Sequence, residues 1–188
     1  MAERMLGLAY AQGSGVAADA ARAYAWLRRA AIQDDMEAQF NLALLLAQGC
    51  GVAQDAAQAC VWYRCAAQQG HMLVQYNLAC MVAAGDGVPA DPVQARSLYQ
   101  QAAEQGWAPA QLNLAVMYEQ GLGGAASQTL AQLWYRCAAR QGQGLAQAQA
   151  RQYLATLVRT ERRCRTVGLG WKRCRRSKQA RRQLPLQA

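Results

Sequence analysis

The chain has 188 residues, is 53% hydrophobic and carries a formal net charge of +9, a length that suits one or two domains. Mean hydropathy is −0.16, no apolar run approaches the roughly 20 residues of a membrane-crossing helix, and a transmembrane protein is excluded. The single histidine, His71, also excludes His-rich metal sites and most triad chemistry.

The charge is not spread evenly. Residues 1–158 hold nine arginines against ten acidic residues, a net −1, whereas residues 159–188 hold eleven basic residues against one glutamate, a net +10. The body of the protein is therefore nearly neutral, and the basicity belongs to its C-terminal tail.

From the start of the chain the sequence repeats itself every 36 residues without an insertion. A fixed period in this range is the signature of a stacked-repeat architecture. Leu6, Leu42, Leu78 and Leu114 share one column, and Gly13, Gly49, Gly85 and Gly121 another. Gly15, Gly51, Gly87 and Gly123 form a third, Ala23, Ala59, Ala95 and Ala131 a fourth. The pairs Ala30-Ala31, Ala66-Ala67, Ala102-Ala103 and Ala138-Ala139 complete the pattern. Alanine is common here, but so many columns in one register exceed what composition supplies.

Each copy reads as two helices. In the second copy Ala38, Leu42, Leu45 and Leu46 lie on one helical face. Gly49 suits the left-handed position that ends a helix, and Asp55 suits the cap that opens the next. The following helix carries Ala59, Trp62, Ala66 and Ala67 at helical spacing. The Trp26/Trp62/Trp134 column, Leu98 in the third copy, is expected to fill the wedge between copies, and the paired alanines to let backbones approach. The reading is an all-α chain of four helix pairs, 2–37, 38–73, 74–109 and 110–145. A capping helix over 146–165 and a basic, disordered tail over 166–188 follow. The first copy has no cap before it, so either its entrance is exposed or the chain is a piece of a longer array, with the second reading slightly favoured.

The string Ala-x-x-Asn-Leu-Ala/Gly … Gly-x-Gly-Val-x-x-Asp … Ala-x-x-Trp-x-x-x-Ala-Ala-x-x-Gly resembles the Sel-one-like repeat, a relative of the tetratricopeptide repeat common in bacterial systems. The resemblance covers about three quarters of the chain and departs at Leu98, Gly124 and Ser127. It implies an α-solenoid of antiparallel helix pairs in a right-handed superhelix. It also implies a non-enzymatic adaptor or scaffold in signalling, envelope or host-interaction systems.

A partner polypeptide is expected along a strip beside the invariant leucine. The column before that leucine is Met5, Asn41, Asn77 and Asn113; three residues on stand Leu8, Leu44, Cys80 and Val116; seven on, Gln12, Gln48, Ala84 and Gln120. In related superhelices this strip lines the concave wall. Asparagine amides offer both donors and acceptors to an extended peptide. The same asparagines also suit a purely local role, bonding backbone within the helix pair. The candidate contact residues are Asn41, Leu44, Gln48, Asn77, Cys80, Asn113, Val116 and Gln120. The strip has no Arg or Lys, which disfavours an acidic peptide terminus.

Seven cysteines, Cys50, Cys60, Cys65, Cys80, Cys137, Cys164 and Cys174, form no Cys-x-x-Cys and no zinc spacing. They read as reduced, half-buried small residues, which favours the cytoplasm. No leader is visible at Met1-Ala2-Glu3-Arg4. The Gly-x-Gly elements follow helices and lack the Lys-Ser/Thr of a phosphate loop. Asp34, Asp35 and Glu37 read as a solvated turn. No cofactor, metal or catalytic residue is expected. The alternative function lies in the tail, where Arg162, Arg163, Arg165, Lys172, Arg173, Arg175 and Arg176 would hold nucleic acid or an anionic surface by counterion release.

Overall fold

The loops that separate the helices are fixed by local chemistry that recurs in every copy. Gly13, Gly49, Gly85 and Gly121 adopt φ of 69°, 66°, 76° and 74°. Each closes a helix by returning its N–H to a last-turn carbonyl. A few residues later Asp19, Asp55 and Asp91 accept backbone N–H bonds from the opening turn of the next helix at 2.9–3.0 Å. Ser127 does so at 3.4 Å. The backbone N–H of each of these four residues also reaches back to the preceding helix, at Tyr10, Leu46, Val82 and Tyr118. One helix end, one loop and one helix start are thereby locked together.

The structure, a computed structural model, describes residues 1–141 and 144–166, with side chains through 156. Among the described residues every regular element is a helix. In chain order these are α1 (Ala2–Gln12), α2 (Ala20–Ile32), α3 (Met36–Gln48), α4 (Ala56–Gln68), α5 (Met72–Ala84), α6 (Pro92–Glu104), α7 (Ala108–Gln120), α8 (Gln128–Gln141) and α9 (Leu145–Thr166). The first helices of the second, third and fourth copies, α3, α5 and α7, begin one 36-residue period apart. The chain is an α-solenoid of helix-pair repeats. It divides into two units, one running from Met1 to Ala102 and one beginning at Ala103.

In the first unit α1 packs on α2, α2 on α3, α3 on α4 and α4 on α5. The buried layer is built from Ala23, Leu27, Ala38, Leu42, Ala59, Tyr63 and Leu78, with Tyr99 from α6. The two alanine columns, Ala23/Ala59/Ala95 and Ala30/Ala66/Ala102, are fully or nearly fully buried, so backbones meet where only a methyl intervenes. In the second unit α7 packs on α8, and α9 on both. Tyr135 of α8 and Tyr153 of α9 stack with ring centroids 3.8 Å apart.

The large side chain that fills each copy is not the tryptophan. Trp26, Trp62 and Trp134 are only half-buried. The next column carries the core instead, with Leu27, Tyr63, Tyr99 and Tyr135 all at most 2% exposed. One residue is a 100° rotation on a helix, and that rotation turns the tyrosine inward. Trp26 instead lies beneath the Arg29 guanidinium, 5.0 Å from the ring centre. Burying each tyrosine is worth about 2–3 kcal/mol, provided its hydroxyl is bonded. Tyr99 donates to Cys80 Sγ at 3.3 Å and Tyr135 to Glu119 Oε2 at 3.2 Å.

The acidic turn is more ordered than a solvated loop. Asp34 holds φ 65°, the left-handed position occupied by Gly70 and Gly106 in later copies. Asp35 caps α3 through the Ala38 N–H at 3.0 Å. Arg4 reaches across from α1 to pair with Asp35 at 3.3 Å and Glu37 at 2.8 Å. The charges therefore tie the first helix pair to the start of the second.

Candidate functional site

The expected contact residues of the first unit lie on α3 and α5. Asn41 is half-buried and donates its amide to the Glu37 carbonyl one turn back at 2.7 Å. Its side-chain oxygen remains an acceptor directed away from that bond. Leu44 is half-buried one turn on, and Gln48 is exposed at the end of α3. Gln48 Oε1 accepts from Cys50 at 3.5 Å. On α5, Asn77 is half-buried and hydrogen-bonded to the Tyr63 hydroxyl. Cys80, also half-buried, receives the Tyr99 hydroxyl.

These bonds give Asn41 and Asn77 a structural part. Burial pushes the Tyr63 phenol up to about 12, opposed by its bond to Asn77. Burial likewise raises the Cys80 thiol, opposed by hydrogen bonds with Tyr99 and Tyr76. A thiol held protonated in this way is a poor nucleophile. Cys60 is raised by burial too. On α1, the same columns present Leu8 half-buried and Met5 and Gln12 exposed.

In the second unit the strip is more closed. Asn113 and Val116 are buried, at 4% and 8% exposure, and only Gln120 at the end of α7 is exposed. The tail residues of the alternative reading fall differently. Arg162, Arg163 and Arg165 belong to the backbone of α9, but their side chains lie outside the described residues, as do Lys172, Arg173, Arg175 and Arg176. His71 is exposed at the cap position of α5, where its side chain makes no cap bond. Among the described residues no three His, Cys, Asp or Glu side chains converge as a metal site would require.

A column of glutamines, not singled out in the sequence, binds successive copies together. Gln39, Gln75 and Gln111 are buried polar residues on the first helices of their copies. Gln39 donates to the Ala31 carbonyl at 3.3 Å and Gln111 to the Ala103 carbonyl at 3.1 Å. Gln147 of α9 repeats the bond to Ala139 at 3.2 Å. The accepting carbonyls are the second alanines of the Ala-Ala pairs, in the last turn of the preceding helix. A second glutamine joins from the next helix end: Gln69 donates to Gln39 Oε1 at 3.1 Å, and Gln111 donates to Gln141 Oε1 at 2.9 Å. The recurrence at 39, 75, 111 and 147 was visible in the sequence; a polar residue at a buried position of a helical period was the available signal.

Comparison with known proteins agrees with this geometry. The Sel1 repeat family model matches residues 1–35, 37–71, 73–107 and 108–143. A protective antigen of uropathogenic Escherichia coli with an SLR fold is 39% identical, with a TM-score of 0.74 over 77% of this chain and 31% of its own. A Sel1 repeat protein from Oxalobacter formigenes is 32% identical, with a TM-score of 0.72 over 77% of this chain and 42% of its own. The chain thus spans less than half the length of either structure. No curated protein sequence matches it.

Proposed function

This chain belongs to the Sel1 repeat family, whose members generally mediate protein–protein interaction on a typically non-catalytic scaffold, and from that premise we propose that it is a non-enzymatic adaptor that holds a partner polypeptide along α3 and α5. The observation that carries this reading is the uncharged, half-buried strip of Asn41, Leu44, Asn77 and Cys80, with Gln48 exposed at its edge. Half-buried Leu44 and Cys80 supply apolar contact, while the Asn41 and Gln48 amides fix the register of a bound chain. Asn113 and Val116 contribute by shaping the α7 core, and Gln120 by its exposed amide. Among the described residues Cys50, Cys60, Cys65 and Cys137 form no disulfide, which supports a reducing, cytoplasmic setting.

The test is affinity capture from cell extract with the intact chain and with the Leu44→Glu/Gln48→Ala variant. A second variant, Arg28→Glu/Arg64→Glu, alters exposed positions on α2 and α4. The strip variant is expected to lose its specific partners with helicity preserved, and the control to keep them. Equal capture by both folded variants rejects the assignment. The net +10 of residues 159–188 favours a second reading, polyanion binding, whose mark is a steep salt dependence abolished by removing those residues.

A further inference from the structure

Charge is sorted by element along the chain. Asp and Glu are absent from α2, α4 and α8, the second helices of their copies, which hold Arg22, Arg28, Arg29, Arg64, Arg136 and Arg140. Arg22 is paired with Asp19 and Arg29 with Glu3. Arg28, Arg64 and Arg136 are exposed, and among the described residues they form no ion pair. The three occupy one column, each two residues after a half-buried tryptophan. The third copy has Leu98 in place of the tryptophan and Gln100 in place of the arginine, so the two side chains come and go together.

Uncharged side chains complete the same outer face. On α4, Ala57, Val61 and Arg64 stand at i, i+4 and i+7 and are all exposed, Val61 at 55%. On α2 the line is Ala21, Ala25, Arg28 and Ile32, the last 65% exposed. Both helices pack on α3 through their opposite sides. In the second unit α8 repeats the pattern by itself, with Leu133 51% exposed in the Val61 column and Arg136 in the Arg64 column. The exposure belongs to the column and not to a place in the chain, since Ala25, Val61, Ser97 and Leu133 are all exposed. Leu6 is the contrasting case. It is 41% exposed while Leu42 in its column is fully buried, because α2 covers α3 and no described helix stands in that place for α1.

We propose that the outer face of α2 and α4 docks on an anionic phospholipid surface. A second copy would set arginine against arginine, because the two helices offer no carboxylate in return. A nucleic acid would answer the arginines through its phosphates but leave Ile32 and Val61 in water. A folded protein partner anchors through side chains seated in pockets, whereas Ile32 and Val61 project singly from separate helices among the exposed alanines Ala25 and Ala57. A bilayer interface yields around each projecting side chain and takes up its apolar tip. Its anionic headgroups meet the guanidinium groups of Arg28 and Arg64. Trp26 and Trp62, half-buried at the border of the face, supply the amphipathic rings that favour headgroup depth. This proposal is independent of the α3–α5 strip and of the basic residues beyond 158.

The test is co-sedimentation of the full chain with vesicles of equal parts phosphatidylcholine and phosphatidylserine, and with vesicles of phosphatidylcholine alone. Three variants accompany it: Arg28→Glu/Arg64→Glu, the charge-neutral Ile32→Ser/Val61→Ser, and Arg151→Glu on α9 as a control outside the face. All these positions are exposed, so helicity by circular dichroism is expected to be unchanged. The chain should bind the mixed vesicles and not phosphatidylcholine. The arginine pair should weaken that binding by more than about tenfold, the serine pair by about threefold or more, and the control by about twofold at most. Absence of binding to the mixed vesicles overturns the proposal. Binding that survives both double variants also overturns it and assigns the contact to the residues beyond 158. A loss with the arginine pair alone, the serine pair binding as the unaltered chain does, overturns the bilayer assignment in favour of a polyanion contact.

Discussion

Three glycines from one column separate backbone strain from close packing between repeats. Gly15, Gly51 and Gly87 share left-handed backbones, with φ of 75°, 70° and 71°. A Cβ at Gly15 would meet nothing within 4 Å, one at Gly51 would overlap the Ala20 methyl, and one at Gly87 would fall on the Ala56 carbonyl and the Ala57 nitrogen. An alanine in this conformation costs about 1–2 kcal/mol by itself, and that is the whole expectation for Gly15→Ala. Overpacking adds about 1–3 kcal/mol at Gly51, where a methyl blocks the way. At Gly87 the addition lies at or above the upper end of that range, because the obstacle is backbone. The measurement is urea unfolding of each variant followed by circular dichroism, with thermal unfolding as a second readout. A chain of this size shifts its Tm by about 2–4 °C per kcal/mol. The expected order of destabilisation is Gly15→Ala, then Gly51→Ala, then Gly87→Ala. Equal losses at the three positions would refute the claim that this column serves inter-repeat contact as well as turn geometry.

Two further outcomes follow from buried polar groups. Gln39→Glu removes the donor to Ala31 and sets a carboxylate beside Asp34, which Gln39 now reaches at 2.9 Å. At 2% exposure the expected loss is about 2–4 kcal/mol at neutral pH, shrinking as acid neutralises the introduced carboxyl; a urea midpoint that does not move contradicts it. Tyr63, whose phenol burial raises from the ordinary tyrosine value of 10.0 to about 12, contributes stability that is complete below pH 10. Above that the unfolded phenol ionises first, and the contribution is lost as pH climbs through 12. The expected decline is about 2–3 kcal/mol, measured as the difference in pH dependence between the chain and Tyr63→Phe from about pH 8 to about pH 12.

The features that local chemistry controls were legible in the sequence. A glycine that must take positive φ, an aspartate that caps the following helix and a period of apolar positions each act within a few residues, so Gly49, Asp55 and the Leu42 column read correctly from their neighbours. Tertiary structure decided what depends on the rotation of one helix against another. The tryptophan column reads as the filler because it is largest and recurs, yet Tyr63, Tyr99 and Tyr135, one step around the helix, take the core. Asn41 and Asn113 are the same residue in the same column, but one is half-buried and the other closed off. The glutamine ladder escaped the sequence reading because composition marks glutamine as surface; only packing brings Gln39 against the carbonyl of Ala31. Leu6 and Leu42 likewise cannot be told apart from their own copies of the repeat. What distinguishes them is the covering helix, and a covering helix is a property of the assembled fold, since burial depends on what lies across an interface and not on the residue that faces it.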